Sequence, residues 1–226
     1  MPTLDIKQRE KQVMLQTKFF EVGRLATNCY IVNCPQTQEA AVIDPGFDTP
    51  QEAESICAYI NRQGLKPTLI INTHGHPDHT CGNAAIKQAY NIPIAIHHAD
   101  KHMLGATGKT LAYYFGYSVT SPPADKILHE NDVIKIGKQT LTVIHTPGHT
   151  QGSITLQGKT QAYTGDTLFA GSIGRTDFPE SDSYLMQQTL KKLQNLLDDA
   201  IIIYPGHGPP TTMRQEKQVN PFLANL

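Results

Sequence analysis

Between positions 74 and 79 the chain reads His74-Gly75-His76-Pro77-Asp78-His79, four potential metal ligands in six residues. An H-x-H-x-D-H string arises by chance roughly once in a thousand chains of this length and composition, so the spacing carries information. Residues two apart on an extended backbone face the same way, which lets His74 and His76 grip one cation as neutral imidazoles. Pro77 then turns the chain and aims Asp78 and His79 at a neighbouring point, where a carboxylate and an imidazole suit a second divalent ion. A water shared by two cations loses a proton near neutral pH, so this chemistry needs no protein nucleophile. No Ser-His-Asp arrangement or activated cysteine stands out in the sequence.

One short motif cannot complete two coordination spheres, so further His and Asp residues are expected at the ends of other strands. The apolar run 141–144 leads to His145-Thr146-Pro147-Gly148-His149, the run 162–164 to Gly165-Asp166, and the run 201–204 to Pro205-Gly206-His207-Gly208. A glycine beside each polar residue lets backbone come close to the site. Counting then divides the ligands: His74, His76 and His149 at the first metal, Asp78, His79 and His207 at the second, and Asp166 bridging both. Every donor is N or O, which suits two Zn²⁺ ions and also admits Fe or Mn. His97, His98, His102, His129 and His145 are expected to be ordinary surface or core histidines.

The elements that must position these residues are short apolar runs ending in Gly, Pro, Asn or Asp, at 29–32, 40–43, 68–72, 92–96, 139–145, 153–156, 161–164 and 200–204. Helical patterns fall at 49–63, 82–90 and 183–197, the last with Ser183, Asp182 or Ser181 as cap. This mixture predicts an α/β or α+β fold with helices packed on sheets. Residues 100–125, with Gly105, Gly108, Tyr113, Tyr114, Phe115, Tyr117 and Ser121-Pro122-Pro123, are read either as a lid or as an ordinary helix with aromatic core contacts.

The 226 residues include 39% hydrophobic and 17% charged, a globular composition with a mean hydropathy of −0.34. Nineteen basic against twenty acidic residues leave a charge of −1, which offers no field for gripping nucleic acid. Neither a spanning segment nor an apolar leader is seen in Met1-Pro2-Thr3-Leu4-Asp5-Ile6-Lys7 or beyond, so no membrane partner and a cytoplasmic location are expected. Cys29, Cys34, Cys57 and Cys81 show no CxxC pairing and are read as reduced.

His74-x-His76-x-Asp78-His79 with His149, Asp166 and His207 resembles the metallo-β-lactamase superfamily, from Ala41-Val42-Ile43-Asp44-Pro45-Gly46 to Pro205-Gly206-His207-Gly208. The resemblance implies one domain over residues 1–226, a four-layer αββα sandwich with its metals at the rim between two sheets. Gly165-Asp166-Thr167-Leu168-Phe169, Gly174-Arg175-Thr176-Asp177-Phe178 and Asn220-Pro221-Phe222-Leu223 are similar to the hydroxyacylglutathione hydrolases, the glyoxalase II group, above all its short bacterial-type members. The implied activity is hydrolysis of a small-molecule acyl thioester such as S-lactoylglutathione, with Asp78 and Asp166 aiming the hydroxide. The longer members add a helical C-terminal domain that contributes to the glutathione pocket; 19 residues follow His207 here, so the thiol carrier stays open. Asp44 is read as a turn former or, as the resemblance implies, a support of the metal site from outside. Arg175 either borders the substrate cleft or pins its loop by pairing with Asp177.

Rival readings remain. The persulfide dioxygenases are also similar through Gly174 to Phe178, and the resemblance would give them one iron on His74, His149 and Asp166. A lactonase or a β-lactamase-type hydrolase would use the same hydroxide. A non-catalytic scaffold would be expected to have lost ligands, and all seven positions are filled.

Overall fold

The computed structural model describes residues 14–114 and 116–224; Phe115 and the segment 1–7 discussed above lie outside them. Strands β1 (Gln16–Val22), β2 (Thr27–Asn33), β3 (Glu39–Ile43), β4 (Lys66–Ile71), β5 (Ile94–His97) and β6 (Lys126–Leu128) form a six-stranded sheet in chain order. A second six-stranded sheet holds β7 (Val133–Ile136), β8 (Gln139–His145), β9 (Ile154–Gln157) and β10 (Gln161–Gly165). After a small hairpin, β11 (Leu168–Phe169) and β12 (Ser172–Ile173), the chain re-enters this sheet as β13 (Ile202–Pro205) and β14 (Thr211–Thr212), in the order β14-β13-β10-β9-β8-β7.

The expected mixed fold and its four layers are present because the central strands are apolar on both faces. In β2, Tyr30 and Val32 join Ala41, Ile43, Leu69 and Ile71 against Val143, Leu156 and Tyr163 of the second sheet. The alternate residues Cys29 and Ile31 face outward with Val42 and Ile70, under Ile56 and Ile60 of α1 (Pro50–Arg62) and Ile86 of α3 (Asn83–Tyr90). On the far side, Ile144, Ala162 and Ile203 are covered by Met186, Leu190 and Leu193 of α5 (Ser183–Leu196) and Met213 of α6 (Met213–Val219). A strand buried on two faces reads as a continuous apolar run, which is why these strands were legible.

Three parallel pairings, β3 with β4, β4 with β5 and β5 with β6, bring their C-terminal ends to one edge of the first sheet. In the second sheet β10 and β13 are also parallel, with Gly165 opposite Pro205, so the residues that follow each strand emerge side by side. Of the three proposed caps for α5, Asp182 is the one used, accepting from the amides of Tyr184 and Leu185.

The stretch 100–125 proves to be helical at its start. A 3-10 turn (His98–Met103) runs into α4 (Gly105–Tyr114). Its glycines hid the helix: a Cβ at Gly108 would meet the Met103 carbonyl oxygen at 2.2 Å, so packing demands a residue that helix propensity disfavours. The expected aromatic core contact falls to Tyr117, which is buried, whereas Tyr113 and Tyr114 are exposed. The sequence reading also passed over β1, β6, β7, β11, β12 and β14, which are edge strands or two-residue pairings without a continuous apolar signal. All four cysteines are free thiols. Among the described residues no helix is long and apolar enough to cross a membrane.

Candidate metal centre

Four connections bring the seven predicted residues to one edge of the sandwich. After β4, Asn72 and Thr73 lead into His74, and His76 caps the four-residue helix α2 (Pro77–Thr80) with extended backbone, φ −66° and ψ 147°. Pro77 therefore does more than turn the chain. It occupies the first position of a helix, where a missing N–H costs nothing, and α2 carries Asp78 and His79. His149 arrives from the loop beyond β8, four residues after the strand ends rather than directly at it. Asp166 and His207 follow β10 and β13, and the Gly206 amide donates to the Gly165 carbonyl across 2.8 Å. Gly206 is sterically required: a Cβ there would lie 2.1 Å from Asp166 Oδ1 and 2.8 Å from His79 Cε1.

Among the described residues three overlapping trios could each hold a metal ion, with ligand atoms within 4.8 Å of one another: His74, His76 and His149; His74, His79 and Asp166; Asp78, His79 and His207. Asp166 lies between them. Its Oδ2 is 3.5 Å from His149 Nε2 and 3.5 Å from His207 Nε2, while Oδ1 is 3.3 Å from His79 Nε2. Asp78 Oδ2 is 3.3 Å from His207 Nε2 and 3.4 Å from His79 Nε2. All but His207 are buried, and the His207 side chain keeps 24% of its surface exposed at the mouth.

Each imidazole has its outer nitrogen held by an oxygen acceptor. His76 Nε2 donates to Glu180 Oε1 (2.9 Å), His79 Nδ1 to Asp44 Oδ2 (3.0 Å), His149 Nδ1 to the Arg175 carbonyl (2.9 Å) and His207 Nδ1 to the Leu25 carbonyl (3.1 Å). The Thr73 hydroxyl gives its proton to Asp44 Oδ2 (2.6 Å), so its oxygen is left to accept from His74 Nδ1 at 3.2 Å. With the outer nitrogen protonated, each neutral ring turns a lone pair inward. His76 Nδ1 and His149 Nε2 then face each other at 2.9 Å, and His79 Nε2 faces His207 Nε2 at 3.3 Å. Two lone pairs at such distances repel unless a proton or a cation lies between them.

His74 Nε2 and Asp166 Oδ1 are buried with no hydrogen-bond partner among the described residues. Leaving such atoms unpaired costs about 1–3 kcal/mol each, a penalty that a bound cation removes. The donor set and these orphaned atoms both fit divalent metals.

The electrostatics divide the cluster. Burial, reinforced by His79, holds His74 well below the ordinary imidazole range, and burial also lowers His149. These two rings stay neutral. Burial opposes charge on His79 and His207 as well, but there carboxylates prevail: Asp78, Asp166 and Asp44 carry His79 well above its usual value, and Asp166 with Asp78 pushes His207 up to about 9. Burial works against the charged form of both carboxylates too, yet His79 and a hydrogen bond from His207 hold Asp78 and Asp166 below the usual range.

Asp44, with left-handed backbone at φ +49°, accepts from His79, the Thr73 amide (2.7 Å) and the Thr73 hydroxyl. Arg175 pins its loop through two contacts with Asp177, at 2.6 and 2.7 Å, lies 4.1 Å over the Phe178 ring, and also borders the cleft. The cleft is lined by Leu25, Phe169, Ile173 and Phe178 around the polar cluster. His97, His98, His129 and His145 lie away from the cluster and contact one another. His102 lines a separate cavity.

Sequence reading missed Glu180 and Asp100. Buried Asp100 accepts from the Gly75 amide (2.9 Å), the Thr150 hydroxyl (2.7 Å) and the Gly152 amide (2.7 Å), tying the His74 and His149 loops together. Its place just past β5, on the edge where other strands deliver ligands, is the signal that could have found it. Glu180 stands 104 positions from His76 with no motif around it.

The sequence model described as the metallo-beta-lactamase superfamily matches residues 22–207. The chain belongs to that superfamily. The chain is 35% identical over 218 residues to a protein of Haemophilus influenzae named hydroxyacylglutathione hydrolase GloC, covering 92% of this chain and 98% of that one. A solved structure named BLEG-1 B3 metallo-beta-lactamase superposes with a TM-score of 0.83 at 34% identity, over 92% of this chain and 99% of the other. The di-iron-bound form of TTHA1623 gives 0.79 at 32% identity, over 91% and 100%. ETHE1 from Myxococcus xanthus, at 0.77 and 22% identity over 93% and 85%, shares the fold. Superfamily membership makes this a metallo-hydrolase-type protein whose fold implies divalent metals.

Proposed function

We infer that this metallo-β-lactamase superfamily member hydrolyses an acyl thioester of the hydroxyacylglutathione type at a two-metal centre. The observation that carries the reading is Asp166, whose Oδ2 is equally distant, at 3.5 Å, from His149 of one trio and His207 of the other. His74, His76 and His149 would hold one divalent cation, Asp78, His79 and His207 a second, with Asp166 shared. Cations held there supply Lewis acidity and ionise a water near neutral pH. The named relative at 35% identity and the di-iron neighbour at 32% support this choice of substrate class and of a metal pair, with Zn, Fe or Mn all compatible with the donors.

The chain's own groups do the rest. Asp78 and Asp166 present carboxylate oxygens to the same small volume and stay ionised, so they can orient the attacking water and hold its proton. Thr27 Oγ1 donates to Asp78 Oδ2 at 3.3 Å, fixing which oxygen turns inward. Leu25, Phe169, Ile173 and Phe178 give the cleft an apolar lining beside the charged cluster.

A mononuclear-iron persulfide dioxygenase, with its iron on His74, His149 and Asp166, is the second reading, favoured by the shared fold of ETHE1. The convergence of Asp78 and His207 on the same centre has no use in that reading. Elemental analysis with steady-state assays decides between them. About two metals per chain and turnover of S-lactoylglutathione are expected. One iron per chain with oxygen uptake on glutathione persulfide would select the dioxygenase, and a two-metal sample inert toward all thioesters would rule out the hydrolase.

A further inference from the structure

A cavity of about 370 Å³ lies beside the metal centre, lined by His102, Met103, Thr110, Leu111, Tyr114 and Glu180. It is walled by α4, to which the proposed chemistry gives no role, and by the 3-10 turn before it. It adjoins the centre at two points. Glu180, on one wall, holds His76 Nε2 at 2.9 Å, and Met103, on another, lies so close under the metal-binding loop that a Cβ on Gly75 would fall 2.5 Å from the Met103 Cβ. The volume is that of a small-molecule pocket, and Met103, Leu111 and the Tyr114 ring make its walls apolar.

Resting on the thioesterase reading above, we propose that this cavity is the acyl subsite and that the protein prefers thioesters of extended apolar acids over short hydroxyacyl ones. The charge of the lining selects the occupant. Among the described residues that line it, Glu180 is the one carboxylate and none is a lysine or arginine, so a thiol carrier bearing carboxylates or phosphates is repelled, whereas a hydrocarbon chain is not. The carrier is left the cleft on the other side, bordered by Arg175 and Phe178. A thioester whose carbonyl lies at the centre then passes its acyl chain by His76 and Glu180 into the cavity. Each methylene buried there contributes to binding through its loss of contact with water.

The test compares acetyl, lactoyl and octanoyl thioesters of one neutral thiol, N-acetylcysteamine, on the metal-loaded protein. Octanoyl kcat/KM is expected to exceed lactoyl by at least about tenfold, mainly through KM. In Leu111→Asp the octanoyl-to-lactoyl ratio should fall toward one, while Leu111→Met, checked like it for unchanged circular dichroism and metal content, keeps the ratio. A wild-type ratio at or below one, or a ratio that Leu111→Asp leaves intact, overturns the proposal. A second readout separates this from the chemistry: octanoate should shift the Met103 and Leu111 methyl resonances. If no thioester is cleaved but these shifts occur, the subsite stands and the hydrolase reading fails. If hydrolysis occurs without them, the subsite fails alone.

Discussion

At the scale of single residues, the cluster is built by fixing the far side of each ring. Asp44, Thr73, Glu180 and the carbonyls of Leu25 and Arg175 accept from the outer nitrogens, so the inward nitrogens are set before any ion arrives. Glu180 is the most informative to alter because its contact reaches one ring through a single 2.9 Å hydrogen bond. Glu180→Gln keeps an acceptor but removes the charge, and metal affinity is expected to fall about tenfold or more, read by competition with a chromophoric chelator. Affinity equal to wild type would remove Glu180 from this role. The seven inner residues were legible from spacing and glycine neighbours. Glu180 was not, because its partner is distant in the chain and one glutamate among several carries no pattern.

At the scale of elements, loops and the short helix α2 rather than strands carry the ligands, and buried polar ties hold the loops. Asp100 joins the loop after β4 to the loop after β8 through three hydrogen bonds, and its burial leaves no water to replace them. Asp100→Ala is expected to cost about 2–4 kcal/mol in urea denaturation and to weaken metal binding, since it frees two donors on backbone amides and one hydroxyl inside the structure. A loss under about 1 kcal/mol would show that the loops are held by other contacts. Runs such as 40–43 and 161–164 marked β3 and β10 because both faces of those strands are buried, while α4 was hidden by two glycines, Gly105 beside Pro123 and Gly108 against the Met103 carbonyl.

At the scale of the molecule, the two sheets meet at a seam of histidines as well as at the metal edge. His97 at the end of β5 stacks on His145 at the end of β8, with centroids 4.1 Å apart, and His98 and His129 stack at 5.2 Å beside them. Burial, then the neighbouring His145, His98 and His129, holds His97 down to about 4, against the opposite pull of Glu130. A base whose folded pKa lies below its unfolded value of about 6.5 takes up its proton more readily when unfolded. Its contribution is full above pH 6.5 and is lost as pH falls toward 4. A decline on the order of 2 kcal/mol across that window is expected, and His97→Gln should flatten it in urea midpoints compared at pH 7 and pH 5. Equal slopes in both proteins would dismiss the seam as a source of acid sensitivity. The sequence by itself determined which residues could bind metal and which runs could be strands, because ligand type, spacing and apolar content are local properties. Only the tertiary structure decided that Asp100 and Glu180 serve the ligand loops and that an apolar cavity adjoins them. Those facts depend on parallel strand ends brought together across two sheets, and no local pattern encodes which ends will meet.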